Sequence, residues 1–498
     1  MNVNPITRLD YPDPDVIRVE DTYYMVSTTM HFMPGCEILQ SFDLVNWEHV
    51  TYVYETLDHT DAQQLKSGQN IYGQGMWAAS LRYHEGRFYI CFVANDTRKT
   101  YLYTSEKIDG PWKKQLIEGF YHDGSLLFDE DGRNYIVYGN DEIWITELNE
   151  DLTAPKKDGL HRLLVSDHKN PELGYEGSHI QKINGYYYIF LIHSLRDRWM
   201  RTEACFYSDS LEGEFTGGDV LCDDRGYCGQ GVAQGGIVDT PDGKWYAMLF
   251  QDSGAVGRIP ILLPVTWKDH FPFFGQNGHV PEEIEVHSTR PGYIYQPLVG
   301  SDDFCNGLLP RWQFNHDPDP RYYHLDALQG TYTITTREVC TELTQAVNTL
   351  TQRMSYPSCA AEVTVDASAL KEGDVAGLCA LQGCYAAVGI TKHHGKYEVL
   401  MLDKKEDGIL DMTERTVVES HQMDFRLEAD FCNMKDEARC YYRVNKGDWL
   451  PIGTVHKLYF KLDHFTGCRF GLFCYAAEET GGSACFRDFK YYDVDEIS

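Results

Sequence analysis

Through the first half of the chain, apolar runs of a few residues alternate with polar turns, and one phrase returns five times. A turn residue is followed three positions later by tyrosine in Asp21-Thr22-Tyr23-Tyr24, Gly86-Arg87-Phe88-Tyr89, Gly132-Arg133-Asn134-Tyr135, Gly185-Tyr186-Tyr187-Tyr188 and Gly243-Lys244-Trp245-Tyr246. A short strand-like run precedes each phrase, such as Val16-Ile17-Arg18-Val19, and another follows, such as Cys91-Phe92-Val93. Two strand-like runs joined by a glycine-bearing turn predict a β-hairpin. Successive tyrosines stand 46 to 65 residues apart, room for four strands each. Four-stranded units at that period predict a β-propeller, in which radial repetition protects the sheet edges. Five phrases predict five blades over residues 1–295. On pattern alone, a β-sandwich with chance hairpin similarity is the alternative.

Beyond Val265-Thr266-Trp267, prolines and glycines break the ladder, and residues 288–300 read as a linker. From Ser301 to residue 498 the alternating segments Ala360–Asp366, Tyr397–Leu402 and Phe470–Tyr475 lack the tyrosine phrase. They predict an antiparallel β-sandwich, so the whole chain is expected to be all-β. An aromatic share of 13%, with 34 tyrosines, agrees with strands. The formal charge of −31 repels phosphate, which argues against nucleic acid and anionic membrane as partners. No apolar run approaches the ~18 residues of a membrane helix, and Met1–Asp15 has no leader-like apolar centre. The 15 cysteines follow neither metal-knuckle nor disulfide-framework spacing. Reduced thiols in a cytoplasm are the expectation.

The repeat also indexes the strand before each turn. Twelve positions back from the tyrosine lie Trp77, Asp123, Glu176 and Gln234; in the first blade, whose turn is one residue shorter, eleven positions back lies Asp13. If those strands are innermost, five side chains ring one mouth of the central channel, and three are acids. Each tripeptide alone would read as a cap or turn, but the shared register changes that. Crowded, partly desolvated carboxylates have divergent pKa values, which suits one to donate a proton and another to accept one. Cleavage of a glycosidic bond needs that division.

The segments YPDPDVIRVEDTYYMVSTT, YHDGSLLFDEDGRNYIVYG and YEGSHIQKINGYYYIF, followed by VAQGGIVDTPDGKWYAMLFQD and GRIPILLPVTW, closely resemble glycoside hydrolase family 43. Residues 301–498 resemble the concanavalin A-like sandwich that follows the propeller in its xylosidase and arabinofuranosidase branches. The resemblance implies an inverting mechanism, with Asp13 as general base, Glu176 as general acid and Asp123 as modulator of the acid's pKa. It also implies Phe32 as a wall around the terminal sugar and Arg258 as a contact to sugar hydroxyls or the carboxylates. Trp77 would stack on a sugar or simply pack, and His31 is a further candidate for substrate binding.

Two departures stand out. Gln234 occupies the place where many relatives carry a histidine beside an axial metal; a structural calcium there is an expectation, with no cofactor required for the chemistry. Ser253 replaces a histidine common in close relatives. The glycine-rich stretch Gly229–Gly236 lacks the spacing of a dinucleotide site, and His393-His394 lacks further ligands at metal spacing. The expected activity is release of terminal α-L-arabinofuranosyl residues from arabinoxylan-derived oligosaccharides. β-Xylosidase or dual activity is the near rival, and a non-catalytic sugar-binding propeller the rival of another class.

Overall fold

The computed structural model describes residues 2–493. Five four-stranded antiparallel sheets account for residues 15–274, with inner strands Asp15–Val19, Ser80–His84, Ser125–Phe128, Glu176–Ile183 and Val232–Asp239. Each inner strand touches the next, and the last touches the first, so the five close a ring around a central channel. The repeated tyrosines lie on the second strand of every blade: Tyr24 pairs with Ile17, Tyr89 with Arg82, Tyr135 with Leu127, Tyr188 with Gln181 and Tyr246 with Val238. Tyr135, Tyr188 and Tyr246 are buried between blades, which is where an aromatic ring on a pleated face gains most from burial.

The sandwich packs a seven-stranded sheet on an eight-stranded one. Val363, Phe425, Leu378 and Phe470 belong to its core, and Ala255, Val256 and Ile259 of the fifth blade join the same apolar cluster. The two units are also stitched by backbone: Phe32–Met33 of the first blade pairs with Gln313–Asn315 and becomes the edge strand of the eight-stranded sheet. A buried ion pair, Glu37 to Arg353 at 2.8 Å, crosses the same seam. Among the described residues no helix is long and apolar enough to cross a membrane, and all fifteen cysteines are free thiols.

The channel is plugged below the mouth. Arg82 donates to Asp15 Oδ2 (2.8 Å), Ser125 Oγ (2.7 Å) and the carbonyls of Leu126 and Ile180, so one guanidinium ties three other blades to its own. A cavity of about 410 Å³ opens at the far end, lined by Arg18, Arg82, His84, Phe128, Lys182 and Trp245. Arg82 separates it from the carboxylates.

Candidate active site

The three acids share one level of the ring. Glu176 pairs with Ile192, four residues beyond the blade's tyrosine; extending the ladders of the first and third blades sets Asp13 opposite Thr28 and Asp123 opposite Gly139, the same level. Trp77 and Gln234 are each one residue off. The second blade has the short turn of the first, so the ring position there falls on Ala78 and Trp77 lies one residue farther out. In the fifth blade Ala233 pairs with Phe250, and Gln234 is the extra residue of a β-bulge. A second bulge follows Glu176 and offsets that blade's short turn.

The mouth is built from left-handed backbone: Asp13 has φ 53°, Asp123 φ 47°, Gly177 φ 63° and Gln234 φ 60°. Aspartate tolerates this region better than most residues, and it turns each carboxylate inward as the strand begins. Gly177 needs to be glycine twice over, because a Cβ there would also stand 2.7 Å from the Gln234 side chain. Strain of this kind concentrates at functional sites.

Asp13 is buried and held at both oxygens. Oδ1 accepts from Arg258 Nη1 at 2.9 Å and Oδ2 from Thr28 Oγ1 at 2.6 Å. Asp123 Oδ2 accepts from the Gly177 amide at 3.1 Å. Burial pushes Asp123 up to about 6, with Glu176 and Asp13 adding to the rise and His122 opposing it. Glu176, less buried than the other two, accepts from Asn140 Nδ2 at 2.7 Å. His122 Nε2 stands 3.4 Å from Glu176 Oε2 and 3.6 Å from Asp123 Oδ2. Burial alone would lower its pKa; the carboxylates of Asp123, Glu176 and Asp13 outweigh that and lift it to about 9. An imidazolium therefore sits between two of the acids at neutral pH.

Arg258 also reaches Asp252 (3.4 Å), which Arg201 contacts at 3.0 Å. Trp77 borders the same space, its ring 5.9 Å from His122 and 5.4 Å from Phe465. Phe465 belongs to the sandwich, and Arg258 lies over its ring at 4.2 Å. Thus Asp13, Asp123, Glu176, Arg258 and Trp77 come together, while Phe32 and His31 lie in the seam. Phe32 is fully buried under the Arg469 guanidinium at 3.5 Å. His31 packs against Phe32, Tyr72, His316 and His464, and neither of its ring nitrogens has a partner. Both side chains face packed protein, so a sugar would reach them only if the seam opened. Repeat counting does not find His122, Asn140 or Phe465; His122 alone carries a signal, as the neighbour of Asp123.

The surroundings of Gln234 suit a cation poorly. Its backbone N–H donates to Glu203 Oε2 at 2.7 Å, and the channel below is already spanned by the Arg82 guanidinium. Calcium needs several oxygens converging on one point; among the described residues the one cluster of three His, Cys, Asp or Glu ligand groups is His122, Asp123 and Glu176, at the acids of the mouth.

Residues 3–272 match the sequence profile of Glycosyl hydrolases family 43, and residues 301–492 that of the Beta xylosidase C-terminal Concanavalin A-like domain. A Beta-xylosidase of Formosa agariphila is 27% identical over 99% of this chain and 89% of its own. A Non-reducing end alpha-L-arabinofuranosidase of Bacteroides ovatus is 25% identical over 66% of this chain and 63% of its own. The solved structure of a bifunctional GH43-CE protein of Bacteroides eggerthii superposes with a TM-score of 0.93 at 42% identity over 100% of this chain; the chain spans 64% of that protein's length. The profile covers more than half the sequence, and the ring of acids lies within it: the chain belongs to glycoside hydrolase family 43.

Proposed function

We propose that the protein is an exo-acting, inverting glycosidase that releases terminal α-L-arabinofuranosyl residues from arabinoxylan-derived oligosaccharides. The observation that carries the glycosidase chemistry is the meeting of Asp13, Asp123 and Glu176 at one level of one channel mouth; the choice of arabinofuranoside leans on the Bacteroides ovatus relative. In that chemistry, Glu176 protonates the glycosidic oxygen as the bond breaks. Asp13, aligned by Arg258 and Thr28, takes a proton from the water that attacks the anomeric carbon from the opposite face. Asp123 holds the backbone that presents Glu176 and adds charge beside it. Arg258 and Trp77 border the sugar. A binding propeller without turnover would have no use for all three acids in one register.

The second reading is a β-D-xylosidase on the same groups. It is favoured by the name of the Formosa relative and by the description of the C-terminal domain; the Bacteroides ovatus relative favours the first. The free thiols suit a reduced compartment, in keeping with small, imported substrates in a cytoplasm. Hydrolysis of 4-nitrophenyl α-L-arabinofuranoside and β-D-xyloside by the purified protein decides between the two. NMR of the first-formed sugar tests the mechanism: β-arabinose, or α-xylose from the xyloside, is expected, and the retained anomer overturns inversion.

A further inference from the structure

Asp10 lies three residues before Asp13, is almost wholly buried, and has no place in the reaction just described. Its carboxylate bridges two backbones that are remote in sequence. Oδ1 accepts from the amide of Arg258, and Oδ2 from the amide of Gly467, both at 2.8 Å. Gly257 and Gly467 close around it so tightly that a Cβ on either would come within 2.3 Å and 2.7 Å of Asp10 atoms, respectively. The Cys468 amide continues the seam by donating to the Ala255 carbonyl at 2.8 Å.

What the bridge joins gives it meaning. Arg258 is the ion-pair partner of Asp13. Gly467 ends the sandwich loop that carries Phe460 and Phe465, whose rings lie 5.6 Å and 4.2 Å from the Arg258 guanidinium. A cap satisfying loose amides would need only one partner. This carboxylate fixes both sides of the same contact, at the cost of desolvation that a backbone oxygen would incur far less.

We propose that Asp10 is a positioning residue for the glycosidase reaction: it latches the sandwich loop bearing Phe465 to the strand start bearing Arg258, so that the aromatic wall and the partner of the base are set by one group. The proposal rests on the reading of Asp13 as base. Asp10 holds only the Arg258 backbone amide, and the guanidinium keeps its own contacts to Asp13 and Asp252 without it, so the part of the latch that is lost is the seating of Phe465 over the sugar site; that weakens uniform binding and appears in KM more than in kcat.

The test is a double-variant cycle on the better of the two aryl glycosides, with Tm read alongside. Asp10→Asn, which keeps one acceptor, and Phe465→Ala are each expected to raise KM about tenfold with kcat within about threefold. The double variant should fall no more than about twofold below the worse single one, because both remove the same contact. Gly467→Ala approaches the latch from the loop side, pressing on the Val256 carbonyl at 2.2 Å, and should reproduce the KM effect even where Asp10→Asn does not fold. Effects that multiply in the double variant, or a lowered Tm with unchanged KM in both latch variants, overturn the proposal. Activity surviving in Asp13→Asn would instead overturn the reading beneath it.

Discussion

Replacing Arg258 by methionine keeps length and apolar bulk and removes the charge. The Asp13–Arg258 pair is buried on both sides with a contact of 2.9 Å. At an effective dielectric of about 20, two unit charges at that distance attract by roughly 6 kcal/mol. Breaking a buried pair typically costs about 3–5 kcal/mol once desolvation is counted. Asp13 keeps its Thr28 bond, and Arg201 remains on Asp252, so the lower end, about 3 kcal/mol, applies. A carboxylate released from Arg258 is no longer held in line to receive the proton of the attacking water, and that removes the base. The penalty therefore appears in turnover, as a fall in kcat/KM of roughly 150-fold at pH 7. Arg258→Lys, with a single charged centre unable to reach both Asp13 and Asp252, should lie between, near tenfold. Steady-state kinetics on both aryl glycosides, with urea unfolding as control, measures this. An Arg258→Met enzyme within about threefold of the parent would refute the claim that the pair maintains the base.

Other outcomes follow from the same geometry. Glu176→Gln should lose hydrolysis of oligosaccharides far more completely than that of aryl glycosides with good leaving groups, which need little protonation; equal losses would deny it the acid's role. His122→Asn removes the charge that opposes the rise of Asp123, so the proton on Asp123 should bind at higher pH and the acid limb of the pH–rate profile should move upward; an unmoved limb would show that His122 does not act on Asp123. His464 is held down to about 3 by burial, with Arg469 and Lys404 adding to it. A folded pKa below the unfolded value of ~6.5 means that the unfolded chain binds the proton first, so stability is complete above pH ~6.5 and falls as pH drops toward about 3. His464→Leu should flatten unfolding free energy against pH in that window by up to ~1.4 kcal/mol per unit; an unchanged slope contradicts the burial. A chain ending at residue 300 should fail to give a stable propeller, since Glu37 would lose Arg353 and Ala255, Val256 and Ile259 their apolar cover; a cooperative Tm within a few degrees of the parent would refute this.

The fold class and the three acids were legible because a tight hairpin fixes the distance from the turn tyrosine to the channel mouth. The count fails by one residue at Trp77 and Gln234, for a specific reason. Turn length and bulges both shift register; they compensate in the fourth blade, where Gly177 follows Glu176, but the second blade has the short turn without a bulge. In the fifth, long turn and bulge together leave Gln234 as the extra residue. Such irregularities come from backbone packing at the channel mouth, and nothing periodic marks them. His122 and Asn140 contact Glu176 from the neighbouring blade, and Phe465 reaches Arg258 and Trp77 from another unit altogether, so no local pattern contains them. Phe32 and His31 were expected at the sugar, but Phe32 opens a strand that pairs outward with the sandwich, and His31 directly precedes it.

That borrowed strand has a consequence for biosynthesis. As the chain leaves the ribosome, Phe32–Met33 emerges some 280 residues ahead of Gln313–Asn315, the segment whose backbone it pairs with. At about 5–20 residues per second the interval is roughly 15–60 s. Throughout it the first blade offers an unpaired apolar edge to any nascent neighbour. Slowing elongation between the two units should therefore lower soluble yield, and exchanging sandwiches among relatives should succeed only when this short piece of the first blade travels with its partner.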